Sequence, residues 1–105
     1  MAKFGILGAG TWGTALGNML VNMGHSVVIW SPDEKEISNL QTKRVHKHLP
    51  QCHLNSLIKF TNDLESACKK MEYVIFATPS IYIRETAIKT KEFLNNKQIL
   101  IIRMK

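Results

Sequence analysis

Cysteine, acidic residues and long apolar runs are all scarce in this chain. Only two cysteines occur in 105 residues, Cys52 and Cys68, far apart and without a CxxC pair. They read as free thiols of a reducing compartment, with a disulfide as the alternative. No apolar run approaches the ~20 residues of a membrane span. The start, MAKFGILGAG, lacks the layout of a secretory signal, because glycines interrupt the apolar run and no cleavage site follows. We therefore predict a cytoplasmic protein.

The 8 acidic residues are outnumbered by 14 basic ones, for a net charge of +6. That balance suits nucleic acid, an acidic membrane or phosphorylated metabolites. The basic residues are scattered apart from KRVHKH at Lys43–His48, and no aromatics are interleaved with them, so no nucleic-acid partner is predicted. His46, His48 and His53 surround Pro50 without a recognisable zinc spacing, and no metal site is expected. Cys52 adjoins His53, yet neighbours in sequence need not meet in space, and no catalytic dyad is inferred. Repeats and low-complexity segments are missing too.

What is present is an alternation of short apolar runs with longer amphipathic ones, in a chain 45% apolar and of single-domain length. Strands are predicted at Lys3–Leu7, Ser26–Trp30, Ile58–Phe60, Tyr73–Ala77 and Ile99–Ile102. Helices are predicted at Trp12–Met23, from Pro32 to near Thr42, over TNDLESACKK (61–70), and from Pro79 to Phe93. In the first helix Ala15, Leu16, Met19, Leu20 and Met23 form one stripe, expected to face the core. Gly24 suits the left-handed residue past its end. Residues 43–57 read as a loop. In TNDLESACKK we expect a capping residue, an acidic first turn and a basic last turn. Strands separated by helices argue a Rossmann-type α/β fold, a doubly wound parallel sheet of about five strands. Right-handed crossovers give the order 3-2-1-4-5.

GAGTWG, Gly8–Gly13, carries GxGxxG spacing between the first strand and first helix. Gly8 permits the tight turn leaving the strand, Gly10 lets a pyrophosphate approach the backbone, and Gly13 lets the helix pack on the strand. Amides at the helix start then attract phosphate. The bland alternative is a structural turn that binds nothing. Where the second strand ends, Ser31 is compatible with a 2′-phosphate, but no arginine stands beside it. Asp33 is free to reach the ribose or to start the next helix. The cofactor therefore reads as NAD or NADP.

The stretches GAGTWGTAL and GHSVVIW closely resemble the N-terminal domain of bacterial NAD(P)-dependent glycerol-3-phosphate dehydrogenase. HLP at His48–Pro50, VIFATPS at Val74–Ser80 and the final Lys105 fit its later motifs, so the resemblance covers the whole chain. It implies a cofactor domain of an enzyme interconverting sn-glycerol 3-phosphate and dihydroxyacetone phosphate for phospholipid synthesis. It further implies that Thr11 and Trp12 touch the cofactor beside Gly8, Gly10 and Gly13. Packing alone is the alternative for Trp12. Pro32 would sit near the adenosine ribose, Pro79 would line the nicotinamide side, and Lys105 would face cofactor and substrate. Tyr82 and Arg84 open a helix near the nicotinamide end, where surface exposure explains them as well as ligand contact.

Several positions depart from that pattern. Pro32 cannot hold a 2′-phosphate, His48 replaces a tyrosine, and Arg103 and Met104 stand before the terminal lysine. The sequence stops at Lys105, before the family's helical second domain and its acid/base lysine. The 105 residues are therefore expected to bind but not to turn over. The last strand, QILII, would be an uncovered edge prone to self-association into a homo-oligomer. Other readings are the cofactor domain of a hydroxyacid-type dehydrogenase and a non-catalytic nucleotide-binding or interaction module.

Overall fold

The computed structural model describes residues 1–102, the side chain of Ser80 excepted. In chain order they form β1 (Lys3–Leu7), α1 (Thr11–Asn22), β2 (Ser26–Trp30), α2 (Glu34–Lys43), β3 (Lys59–Thr61), α3 (Leu64–Cys68), β4 (Tyr73–Phe76), α4 (Ser80–Thr90) and β5 (Ile99–Ile102), with a 3-10 turn at Lys91–Phe93. The strands form one parallel sheet in the order β3-β2-β1-β4-β5, as the crossover rule requires. Leu7 is in register with both Trp30 and Phe76. The loops leaving β1, β2 and β4 therefore open at one level, at the carboxyl ends of the strands.

Strand alternation sorts the apolar side chains onto two faces. Ile6, Val27, Ile29 and Ile75 face α1, α2 and the loop residues Leu54 and Ile58. Leu7, Val28, Trp30, Val74 and Phe76 face Ala67 and Cys68 of α3, with Phe93 and Leu94 at the margin. Burial of each large side chain removes it from water at a gain of about 1.5–3 kcal/mol. Gly5 belongs to this second face: a Cβ there would collide with the Ala67 carbonyl, so α3 lies directly on β1.

The stripe expected to seat α1 does so only in part, through buried Leu20 and partly buried Leu16. Gly13, Thr14, Gly17, Leu20 and Val21 are buried, whereas Met19 and Met23 are 50% and 65% exposed. Small residues let the helix approach closely, and a Cβ at Gly17 would lie 2.7 Å from Ile29 Cδ1. Hydrophobicity alone scores such a face poorly. Beyond the helix Gly24 has φ +96°, the left-handed conformation expected of it.

Other boundaries shift for local reasons. Ile58 belongs to a turn, its N–H donating to the Asn55 carbonyl, so β3 starts at Lys59. Helix α3 ends at Cys68, before both lysines. Its capping Asp63 accepts from the Ser66 hydroxyl and from no backbone amide. At α4, Pro79 is the capping residue, just outside the first turn. The loop after α2 is ordered by Arg44, at φ 55°, whose guanidinium donates to the Ile58 carbonyl at 2.6 Å. All four residues of β5 are between 41% and 53% exposed, on a strand paired only to β4 among the described residues.

Candidate functional site

Three strand ends converge on a cleft of about 830 Å³ lined by the β1–α1 loop, Trp30–Pro32, Ala77–Pro79 and the first turns of α2 and α4. Gly8 turns the chain out of β1 at φ +134°, where a side chain would also meet the Ala77 carbonyl carbon at 2.8 Å. Its N–H donates to the Trp30 carbonyl at 2.8 Å, tying the loop to β2. A Cβ at Gly13 would lie 2.5 Å from the Gly8 carbonyl oxygen, so the helix can only start this close to the loop with glycine there. Gly10 differs from both: a Cβ there meets nothing within 4 Å, and the open side is the cleft.

Gly10 caps α1 without a side chain, and no acidic residue stands in the helix's first turn. The positive end of the helix dipole is therefore left for an anion supplied from outside. Between the glycines, the Ala9 carbonyl accepts from the Thr14 hydroxyl at 3.2 Å and from His46 Nε2 at 3.0 Å. The His46 Nδ1 accepts the His48 N–H at 3.1 Å, so the ring carries its proton on Nε2. Two donors thus fix the direction of this carbonyl. Sequence spacing weighed His46 only as a metal ligand, and its partner lies 37 residues away.

The predicted residues Gly8, Gly10, Thr11, Trp12, Ser31, Pro32 and Pro79 all line the cleft, and Gly13 stands directly behind it. Trp12 packs on the core and also lines the cleft. Tyr82 also lines it. Lys105, Arg103 and Met104 lie outside the described residues.

Ser31 is buried, and its hydroxyl is engaged on both sides: it donates to Glu36 Oε1 at 2.8 Å and accepts the Asp33 N–H at 3.2 Å. Asp33 took the helix role, its Oδ1 accepting from the Lys35 and Glu36 amides at 3.0 and 3.2 Å. Among the cleft residues not singled out in the sequence, two stand out. Glu36 stands three residues after the capping Asp33, a capping-box spacing that was available as a signal. Thr78 offers no such signal, yet its Oγ1 is buried at the cleft without a hydrogen-bond partner among the described residues.

That orphan hydroxyl and the open approach at Gly10 fit a bound dinucleotide. Elsewhere, a hollow of about 790 Å³ beside β3 is lined by Arg44 and Lys59, but its guanidinium already serves the Ile58 and Asn55 carbonyls. Among the described residues no three His, Cys, Asp or Glu side chains are grouped as a metal would need, and no helix is long and apolar enough to cross a membrane.

Comparison with known proteins bears on the same loop. The family described as NAD-dependent glycerol-3-phosphate dehydrogenase N-terminus matches residues 3–105. An NAD(P)+ glycerol-3-phosphate dehydrogenase of Agathobacter rectalis is 44% identical over 102 residues, and one of Lactobacillus delbrueckii subsp. bulgaricus is 42% identical over 101. Each alignment covers 96% of this chain and 30% of the relative, so the chain spans under a third of their length. The crystal structure of glycerol-3-phosphate dehydrogenase from Coxiella burnetii superposes with a TM-score of 0.91 at 26% identity, over 99% of this chain and 32% of that one.

Proposed function

The chain belongs to the NAD-dependent glycerol-3-phosphate dehydrogenase N-terminal family, and from that premise we propose that its β1–α1 loop seats the pyrophosphate of NAD(P) for oxidation of glycerol 3-phosphate or reduction of dihydroxyacetone phosphate. One observation carries the reading: the uncapped start of α1, with Gly10 open to solvent, faces a cleft across three strand ends. Gly8 and Gly13 fix the loop's path, while Thr14 and His46 restrain the Ala9 carbonyl. The Thr78 hydroxyl, at the end of β4, is positioned to donate toward the cofactor's nicotinamide half. When bound, the nicotinamide supplies the hydride acceptor or donor, and the protein supplies position and electrostatics.

The wider role we infer is in glycerophospholipid synthesis in the cytoplasm, with a small phosphorylated substrate and no nucleic-acid partner. The free thiols Cys52 and Cys68 suit a reducing compartment. Self-association through the exposed β5 edge belongs to the same reading. Trp12 and Trp30 line the cleft, so NADH binding is read directly as quenching of their fluorescence with transfer to the nicotinamide. A saturable signal is expected. A titration that leaves tryptophan emission and the melting temperature unchanged refutes the proposal.

A further inference from the structure

Selection between NAD and NADP is made at the adenosine ribose, where a carboxylate hydrogen-bonds the free diol and a cation accommodates a 2′-phosphate. In this chain the residue just past β2 carries no charge: it is Ser31, followed by Pro32. Asp33 is committed to the backbone amides of α2. The carboxylate that does line this end of the cleft comes instead from the first turn of α2, as Glu36.

The placement of Glu36 is fixed rather than incidental. In a simple capping box, a glutamate at this position would reach back to the Asp33 N–H. Here the Ser31 hydroxyl stands between the two, accepting that N–H and donating to Glu36 Oε1. The buried serine thus holds the carboxylate beside Pro32, at the mouth of the cleft. Glu36 Oε2 accepts no hydrogen bond from the described residues, and no ion pair involves this side chain. Of the described residues lining the cleft, the cation is Lys89 on α4, already paired with Glu85 at 3.2 Å. Lys35 is exposed and does not line the cleft.

The geometry points to Glu36, positioned by Ser31, as the residue that reads the adenosine ribose and selects NAD over NADP. Glu36 accepts from the ribose diol through the oxygen that Ser31 leaves open. A 2′-phosphate brought to the same place meets a fixed negative charge, and no described guanidinium or ammonium lines the cleft at this end to offset it. This inference rests on the cleft being the dinucleotide site. It goes beyond that reading by making one side chain responsible for the choice of cofactor.

The test is a pair of titrations of the 105-residue chain with NADH and NADPH, at physiological ionic strength so that the net charge of +6 does not favour the more anionic ligand. Binding is followed by tryptophan quenching and by ligand-induced rise in melting temperature. NADH is expected to bind at least about tenfold more tightly than NADPH. Glu36→Gln keeps the shape and removes the charge, and should bring the two affinities to within about threefold, mainly by strengthening NADPH. Ser31→Ala frees the carboxylate while keeping it, and should weaken NADH and narrow the ratio. Far-UV circular dichroism confirms that each variant is folded. Equal or tighter binding of NADPH by the unaltered chain overturns the inference, as does an unchanged ratio in folded Glu36→Gln, while either result leaves the site itself standing. Failure to bind either dinucleotide removes the site and the inference together.

Discussion

Gly10 and Gly13 lie three residues apart in one loop, and a methyl group added to each should do opposite damage. At Gly10, φ is −73°, a value any residue adopts, and the added Cβ meets no atom within 4 Å. Alanine caps a helix less well than glycine, at a cost of up to about 1 kcal/mol. The less flexible unfolded chain returns about 0.4–1 kcal/mol. Gly10→Ala should therefore melt within a few degrees of the unaltered chain. Its methyl, however, fills the space through which a phosphate must approach, and NADH affinity should drop at least tenfold, about 1.4 kcal/mol. At Gly13 the Cβ would sit 2.5 Å from the Gly8 carbonyl oxygen and 3.2 Å from Ala77 Cβ. Neither contact is the end of a flexible side chain, so α1 has to lift off β1, at about 1–3 kcal/mol for overpacking. For a domain of this size that lowers Tm by roughly 4–8 °C per kcal/mol. Melts followed by circular dichroism, with and without saturating NADH, separate the two effects. If Gly10→Ala loses as much stability as Gly13→Ala, or keeps the full stabilisation by NADH, the reasoning fails.

Three further outcomes follow from single features of the structure. Thr78→Val removes a buried hydroxyl without a partner, so the free chain should gain about 1 kcal/mol while its stabilisation by NADH shrinks; a lower Tm without ligand would count against this. Placing a charge on the exposed edge with Ile101→Lys should shift the chain from associated to monomeric species in light scattering, and identical profiles would remove β5 as the contact. Burial pushes the Cys68 thiol up to about 11 from an ordinary 9.0. Between those values the unfolded chain has lost the proton that the folded chain retains, so stability falls as pH rises, by up to roughly 3 kcal/mol. Urea titrations across this range should show a shallower loss in Cys68→Ala, and parallel slopes would refute it.

Much of the sheet was legible because each strand is a short apolar run, and because parallel pairs need crossovers of one hand. The helices were legible only as helices. What the stripe Ala15, Leu16, Met19, Leu20, Met23 missed is that the seat of α1 is made of absences: Gly13 and Gly17 are buried because nothing protrudes there. A scale that rewards apolar bulk points such a helix the wrong way.

The same physics explains which site residues could be read. Gly8, Gly10 and Gly13 matter through missing side chains at fixed spacing, so the tight turn at Gly8 and the close packing at Gly13 could be read from the spacing. Glu36 and His46 are held by partners that the fold supplies, and Thr78 stands out because it has none among the described residues. Glu36 is informative because Ser31 turns toward it, Thr78 because its hydroxyl has no partner among the described residues, and His46 because its Nε2 reaches the Ala9 carbonyl. Glycine spacing can therefore point to a candidate phosphate site, while the groups we propose for choosing the dinucleotide become visible only once β2, α2 and the loop are assembled. A change at Glu36 should then alter the choice of cofactor and leave the glycine loop intact, and a change at Gly10 should weaken both cofactors alike.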